Sequence, residues 1–362
     1  SEMCIRDRYN IAGEMMDYAP NVRFCEVLLN GVYQGLYVMT ETVSSGADAR
    51  LKLTEPSKDP VQTSYALRLD RGSGNEVKNI ETFSQYALRN LQDIDIVYPG
   101  TKWLTTERAA WIAQDFSDFE KTLYSYDYDT EPYAWWEQAD MSSFVDYFIL
   151  NEFTCNYDAG WLSTYIYRDV RGKYKMCIWD FNSACDNYSH PVTEPQHFEL
   201  QHNVWYYMLS KDEKFINAVI DRYRELRQGI LSDEYLCAYI DAVTAWLGDA
   251  VERNGRFGQR CLFIILQRAA GQADVAAAFG NSLNAGAGAG GVIGHVNAFF
   301  FLKCFAERAD DLFHRGRAVG RDRGSILLRT AYKRQRGEGN DKYSRQNFVH
   351  LFHFDDLLFL FV

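Results

Sequence analysis

The chain has 362 residues and a formal charge of −11, from 38 Lys+Arg against 49 Asp+Glu, and 47% of its residues are hydrophobic. That composition is ordinary for folded globular protein and excludes a disordered, collagen-like or coiled-coil bulk. The acidic balance argues against a broad face that neutralises nucleic-acid phosphates or anionic lipid, and no run reaches the roughly 20 apolar residues of a membrane span.

Ser1-Glu2-Met3-Cys4-Ile5-Arg6-Asp7-Arg8 resembles the translated end of a sequencing adapter, so residues 1–8 are set apart as a scar. The chain is then expected to start, truncated, at about Tyr9, and to lack any signal peptide for that reason. From Val22 two β-rich runs, Val22 to Leu29 and Val32 to Met39, flank Asn30-Gly31, the strongest short-range hairpin signal. Thr63 to Asp70 and Ile94 to Tyr98 read as further strands around a Gly-rich turn at Arg71 to Asn75.

A helix is expected from about Thr106, behind a Thr N-cap, because Ile112, Phe116, Phe119 and Leu123 recur at helical spacing. Another starts near Ser142, with Phe144, Phe148 and Phe153 on an apolar side. A second hairpin follows, Ser163 to Arg168 against Tyr174 to Trp179. Helices then return over Asn203 to Leu209, Glu213 to Gln228 and Ser232 to Asn254, the last with a stripe of Leu236, Ile240, Val243 and Leu247. Strands first and helices second is the order of an α+β fold.

Residues 1–254 carry 23 Lys+Arg against 40 Asp+Glu, whereas 255–362 carry 15 against 9, and all 8 Trp lie in the first part. The expected organisation is therefore a folded domain over 9–254 and a separate Ala/Gly- and Arg-rich tail over 255–362. The tail reads either as a loosely packed linker with a basic segment or as the product of a frame slip near Asn254. Its composition, including the apolar run Leu357 to Val362, follows no steady helical or strand period. The eight Cys form no metal-binding pattern and are expected to be small buried hydrophobes.

Chemistry concentrates between Asn156 and Asp186. Asp158 follows a helix and Asp180 ends a strand, and the hairpin between them brings both carboxylates toward one place. One could orient or deprotonate a hydroxyl while the other, with Asn182, holds Mg²⁺ on nucleotide phosphates. The bland alternative is that these residues cap helices and make turns. His190, His197 and His202 are a weaker metal candidate. Trp135, Trp136, Tyr133, Tyr126 and Tyr128 could form a sugar-stacking platform or fill a core.

The blocks Asn30 to Glu41, Phe144 to Glu152, Asn156-Tyr157-Asp158, Ser163 to Asp169 and Trp179-Asp180-Phe181-Asn182 together resemble the spore coat protein CotH kinase family, over roughly Val22 to Asn254. The resemblance implies an atypical protein-kinase-like α+β fold and transfer of the γ-phosphoryl group of ATP, with Mg²⁺ or Mn²⁺, to Ser or Thr of spore-coat or cell-surface proteins. It implies a secreted bacterial protein, at the cell surface or spore coat, without nucleic-acid partners. Asp158 matches the catalytic-loop Asp and Asp180 the metal-binding Asp. Glu41 falls on the acidic residue that closes the family's early Gly-x-Tyr…Glu block, and Arg68 stands where a basic residue approaches phosphates. Ser163 occupies the place of an Asn ligand, and Asn182 that of the last Asp in Asp-Phe-Asp. Both swaps keep an oxygen donor and are expected to weaken metal binding, so a catalytically inactive surface or coat protein that keeps the fold is the alternative.

Overall fold

The computed structural model describes residues 2–58, 61–88, 92–184 and 198–255, together with two strands near the C-terminus. Helix α1 (Glu2–Met15) spans the segment set apart as a scar, and it buries Tyr9, Ile11, Ala12 and Met15 in the main core. Strands β1 (Val22–Leu29) and β2 (Val32–Glu41) form the expected hairpin, with Leu29 opposite Val32. Asn30 (φ 51°) and Gly31 (φ 76°) are both left-handed, as a two-residue turn matched to the strand twist requires.

Strands β3 (Tyr65–Asp70), β4 (Asn79–Ile80), β5 (Asp93–Tyr98), β6 (Thr164–Arg168) and β7 (Lys175–Cys177) make an antiparallel sheet of order β4-β5-β3-β6-β7. Alternation along the strands sends side chains to two cores. Leu67, Leu69, Ile94, Ile96, Ile166 and Met176 join the large helical core on one face. Ala66, Tyr165, Tyr167 and Cys177 meet Tyr18, Val43, Leu51 and Leu53 on the other.

Between the strands lie the short α2 (Phe83–Leu88), α3 (Thr106–Leu123) and α4 (Met141–Phe153). Thr105 caps α3 by accepting from the Arg108 N–H at 3.2 Å, and the whole expected stripe from Ile112 to Leu123 is buried. Asp140 caps α4, through the Ser143 N–H. Every residue of α4 from Phe144 to Phe153 is buried, not one side only, because the helix contacts both β7 and α6 (Glu213–Arg227).

Helices α5 (Val204–Leu209), α6 and α7 (Asp233–Leu247) complete the helix-rich half. The helix expected to run to Asn254 stops instead at Gly248, which adopts φ 47° and so cannot continue it; residues 249–255 are helical again. Leu236, Val243 and Leu247 are buried and Ile240 is half-buried. Near the C-terminus β8 (Leu351–Phe354) and β9 (Leu357–Leu360) pair with each other, and β9 pairs with β2. The apolar run from Leu357, read from sequence as having no steady period, thus includes a strand. The rest of 256–362 lies outside the described residues, as do His190, His197, Cys185, Cys261 and Cys304.

Among the described cysteines only Cys177 is buried; Cys25 and Cys155 are half-buried and Cys237 is exposed, so the expectation of buried thiols fails for these three. They sit on strand, loop and helix positions whose outer sides face solvent. No helix among the described residues is long and apolar enough to cross a membrane.

Candidate active site

Three segments end at one edge of the sheet. Strand β3 finishes at Asp70, β6 begins just after Ser163, and β7 leads through Ile178 and Trp179 to Asp180. Leu69 pairs with Thr164 and Tyr165 with Cys177, so the register carries Asp70, Ser163 and Asp180 to the same end. The Ser163 hydroxyl lies 3.4 Å from Oδ2 of Asp180 and 3.4 Å from Oδ2 of Asp70, and donates to either.

Asp158 reaches this cluster from the loop after α4. Its Oδ2 accepts a 2.5 Å hydrogen bond from the Ser183 hydroxyl, which also lies 3.2 Å from Oδ1 of Asn182. The Asn182 backbone N–H in turn donates to the Asp180 carboxylate. Burial pushes the Asp180 carboxyl up to about 6, and the charges of Asp158 and Asp70 act in the same direction against the Asn182 and Ser163 donors.

The backbone is held under strain here. Ser163 (φ 52°) and Asp180 (φ 54°) are both left-handed, a conformation that persists only where the surroundings impose it. For Asp180 those surroundings are specific. Its N–H donates to the Tyr9 hydroxyl at 2.9 Å, and its carbonyl accepts from the Asn156 amide at 3.4 Å. The next residue, Phe181, is buried edge-on against the Tyr9 ring at 5.6 Å, and its carbonyl accepts from Arg8 at 3.0 Å.

The loop carrying Asp158 turns at Gly160 (φ 79°). The Gly160 N–H donates to Thr164 Oγ1 at 2.9 Å, and its carbonyl accepts from the Asn203 amide at 2.8 Å. A Cβ there would stand 2.7 Å from the Asn203 Cβ. Gly160→Ala is therefore expected to cost more than the about 1 kcal/mol typical of the left-handed penalty alone. Urea unfolding should show the loss, together with weakened binding of any ligand that uses Asp158.

Two other sequence candidates sit elsewhere in the network. Arg68 lies on β3 two residues before Asp70, on the same face, and pairs with Asp95 at 3.2 Å and Asp70 at 3.8 Å. Glu41, at the end of β2, accepts from the Asn21 N–H at 2.9 Å, the Arg50 N–H at 3.1 Å and the Arg50 guanidinium at 3.4 Å. Among the described residues it makes no hydrogen bond or ion pair with Asp158 or Asp180. The aromatic candidates separate: Trp135 is fully buried with its N–H on Asp212 at 2.8 Å, while Tyr126 and Tyr133 are exposed.

Sequence reasoning missed Asp70, Ser183 and Tyr9. Asp70 ends a strand whose partner lies far along the chain, so no local spacing could single it out. Ser183 directly follows the singled-out Asn182, and that adjacency was the only available signal.

Among the described residues no three His, Cys, Asp or Glu side chains converge tightly enough to form a self-sufficient metal cage. The donors at the sheet end are carboxylates, an amide and hydroxyls, all oxygen. That set fits Mg²⁺, which is held by one or two carboxylates and completed by substrate phosphates and water.

A mixed α+β fold with an all-oxygen cluster at a sheet end is consistent with a kinase-like fold. A family profile described as CotH kinase protein matches residues 4–262, well over half of the chain. The chain belongs to the CotH kinase protein family. A search of the curated proteins found no match.

Proposed function

We propose that the chain is an ATP-dependent protein kinase that phosphorylates Ser or Thr of spore-coat or cell-surface proteins, acting at the cell surface or spore coat. The observation that carries this reading is the meeting of Asp158 and Asp180 at one sheet end, linked through Ser183, Asn182 and Ser163. Asp158, whose Oδ2 accepts from the Ser183 hydroxyl, orients the acceptor hydroxyl by accepting its hydrogen bond. Asp180, Asn182 and Ser163 supply oxygen donors to Mg²⁺ or Mn²⁺, which when bound neutralises charge on the nucleotide phosphates. Arg68, which pairs with Asp70 and Asp95, would approach phosphate oxygens from the same face.

The test is transfer of label from ATP to added protein substrate in the presence of Mg²⁺ or Mn²⁺, compared with Asp158→Ala and Asp180→Ala. Unchanged transfer in either variant removes that residue from its assigned role. A second reading, an inactive surface protein, is favoured by Ser163 and Asn182 standing in for stronger ligands. Calorimetry with ATP and Mg²⁺ separates the two, because a pure scaffold shows no magnesium-dependent binding.

Two outcomes follow from the site's electrostatics. Protons and metal compete for Asp180, so magnesium affinity is expected to fall as pH drops below about 6, approaching tenfold per unit. Ser163→Asn is expected to tighten magnesium binding, since Asn suits the left-handed backbone at φ 52° better than Ser and offers an amide oxygen. Metal titrations of wild type and variant at pH 5, 6 and 7 check both.

A further inference from the structure

At the turn between β6 and β7, on the face of the sheet that carries Arg68 and Asp70, lies a cavity of about 400 Å³. At about 3.3 Å per residue along β6, this end is roughly 15 Å from Ser163 and the carboxylate cluster. Such a volume is in the range of small-ligand sites, about 300–1,000 Å³. Its lining concentrates cations in an otherwise acidic domain: Arg50, Lys52, Lys173 and Lys175, against Asp17 and Asp169.

The partners of these groups differ. Arg50 is paired with Glu41, and Lys175 with Asp17 and Asp140. The Asp169 carboxylate is already occupied by donors from Thr54, Ser64 and Val170. Among the described residues Lys52 is held only by the carbonyls of Gly46 and Ala47, at 3.0 and 2.8 Å, and Lys173 only by the carbonyl of Trp136, at 2.6 Å. Backbone carbonyls fix the positions of these two ammonium groups without neutralising their charge. Tyr18, which lines the cavity, is 6% exposed, and its buried hydroxyl has no hydrogen-bond partner among the described residues. Such an orphan is unfavourable until an acceptor arrives.

We infer that this cavity is a binding site for a phosphate monoester, of the kind a phosphorylated peptide side chain carries. Two ammonium charges with no carboxylate partner among the described residues match the about −1.5 to −2 charge of such a group, and its three oxygens can accept from both lysines and from Tyr18. Burial raises the Tyr18 phenol well above its ordinary value, so it stays a neutral donor. The site does not depend on the kinase reading: it lies at the far end of the strands and uses none of the carboxylates at the sheet end.

The test is calorimetric titration of the full-length chain with a short phosphoserine peptide, its unphosphorylated counterpart and inorganic phosphate, in EDTA and without nucleotide. The phosphopeptide is expected to bind at least about tenfold more tightly than the unphosphorylated peptide. Lys52→Gln and Lys173→Gln, at exposed positions where folding tolerates change, should each weaken it by about tenfold. Asp180→Ala, at a distant and independent site, should leave it within about twofold. Tyr18→Phe should weaken binding yet raise the melting temperature of the ligand-free protein, the opposite of what loss of a merely structural hydroxyl would do. Equal binding of inorganic phosphate with the same lysine dependence upholds the site and assigns it to the free ion. No phosphopeptide binding, or binding indifferent to both lysines, overturns it.

Discussion

Asp180→Asn is expected to lower phosphoryl transfer by a factor of about 10²–10³ or more while making the metal-free protein more stable at neutral pH. The first effect follows from losing the charged donor in the site's oxygen set. The second follows from linkage. Folding raises the Asp180 carboxyl from its ordinary 3.8 to about 6. Below pH 4 both states are protonated and nothing is lost. Between about 4 and 6 the unfolded chain ionises while the folded one holds its proton, so stability falls as pH rises, and above 6 the whole penalty is present. A neutral amide removes it, and Asn tolerates the left-handed backbone at φ 54° as well as Asp does. The gain should be about 1–3 kcal/mol at pH 7, vanishing near pH 4. Thermal unfolding of both proteins at pH 4 and 7, without metal, measures it. An Asp180→Asn protein that is less stable than wild type at pH 7 would show that the carboxylate is stabilised by its surroundings rather than burdened by them.

Trp205→Ala is expected to be the most damaging single change in the helix-rich half. The indole is 1% exposed and packs edge-on against Phe116 at 5.5 Å. Its N–H donates to Oε1 of Glu120 at 2.9 Å, and Glu120 itself is fully buried in α3. Truncation leaves a cavity worth about 3–5 kcal/mol and takes a donor from a buried carboxylate at about 1–3 kcal/mol more. Against a domain stability of about 5–15 kcal/mol, that brings the protein close to unfolding. Burial already holds Glu120 above the usual carboxylate range, so the variant should be least impaired at acid pH, where the group is neutral. Trp205→Phe, which keeps most of the volume but not the N–H, should lose only the smaller part. Urea midpoints at pH 5 and pH 7.5 for both variants separate the two contributions.

What the sequence disclosed and what it withheld follow from the range of the interactions involved. Both hairpins are short-range objects. Asn30-Gly31 announces the first, and apolar alternation on either side of Asp169 to Lys173 the second, so the proximity of Asp158 and Asp180 could be foreseen. The α3 stripe and its Thr105 cap are equally local. The stop at Gly248 carried a warning in the residue itself, since φ 47° with ψ −127° is open to glycine and strained for other residues. Asp70 had no local signal at all, because its meeting with Ser163 depends on the pairing of β3 with β6. The anchoring of Asp180 by Tyr9 was hidden in the same way, 171 residues apart. Arg68 could be placed by resemblance, yet its two carboxylate partners come from the end of its own strand and from β5.

The pairing of β3 with β6 also says something about time. Leu67 faces Ile166 across that seam, roughly 100 residues away in the chain. Contacts of such separation are made only after the entropy of closing the intervening loop has been met, so they form late in folding. Helical signal should therefore return early on refolding, from α3, α4 and α6, whose backbone hydrogen bonds are local. On the proposed function, the capacity to bind nucleotide should return only with the slowest step, when β3 docks on β6. A bound nucleotide would then report the fully assembled chain and no earlier species.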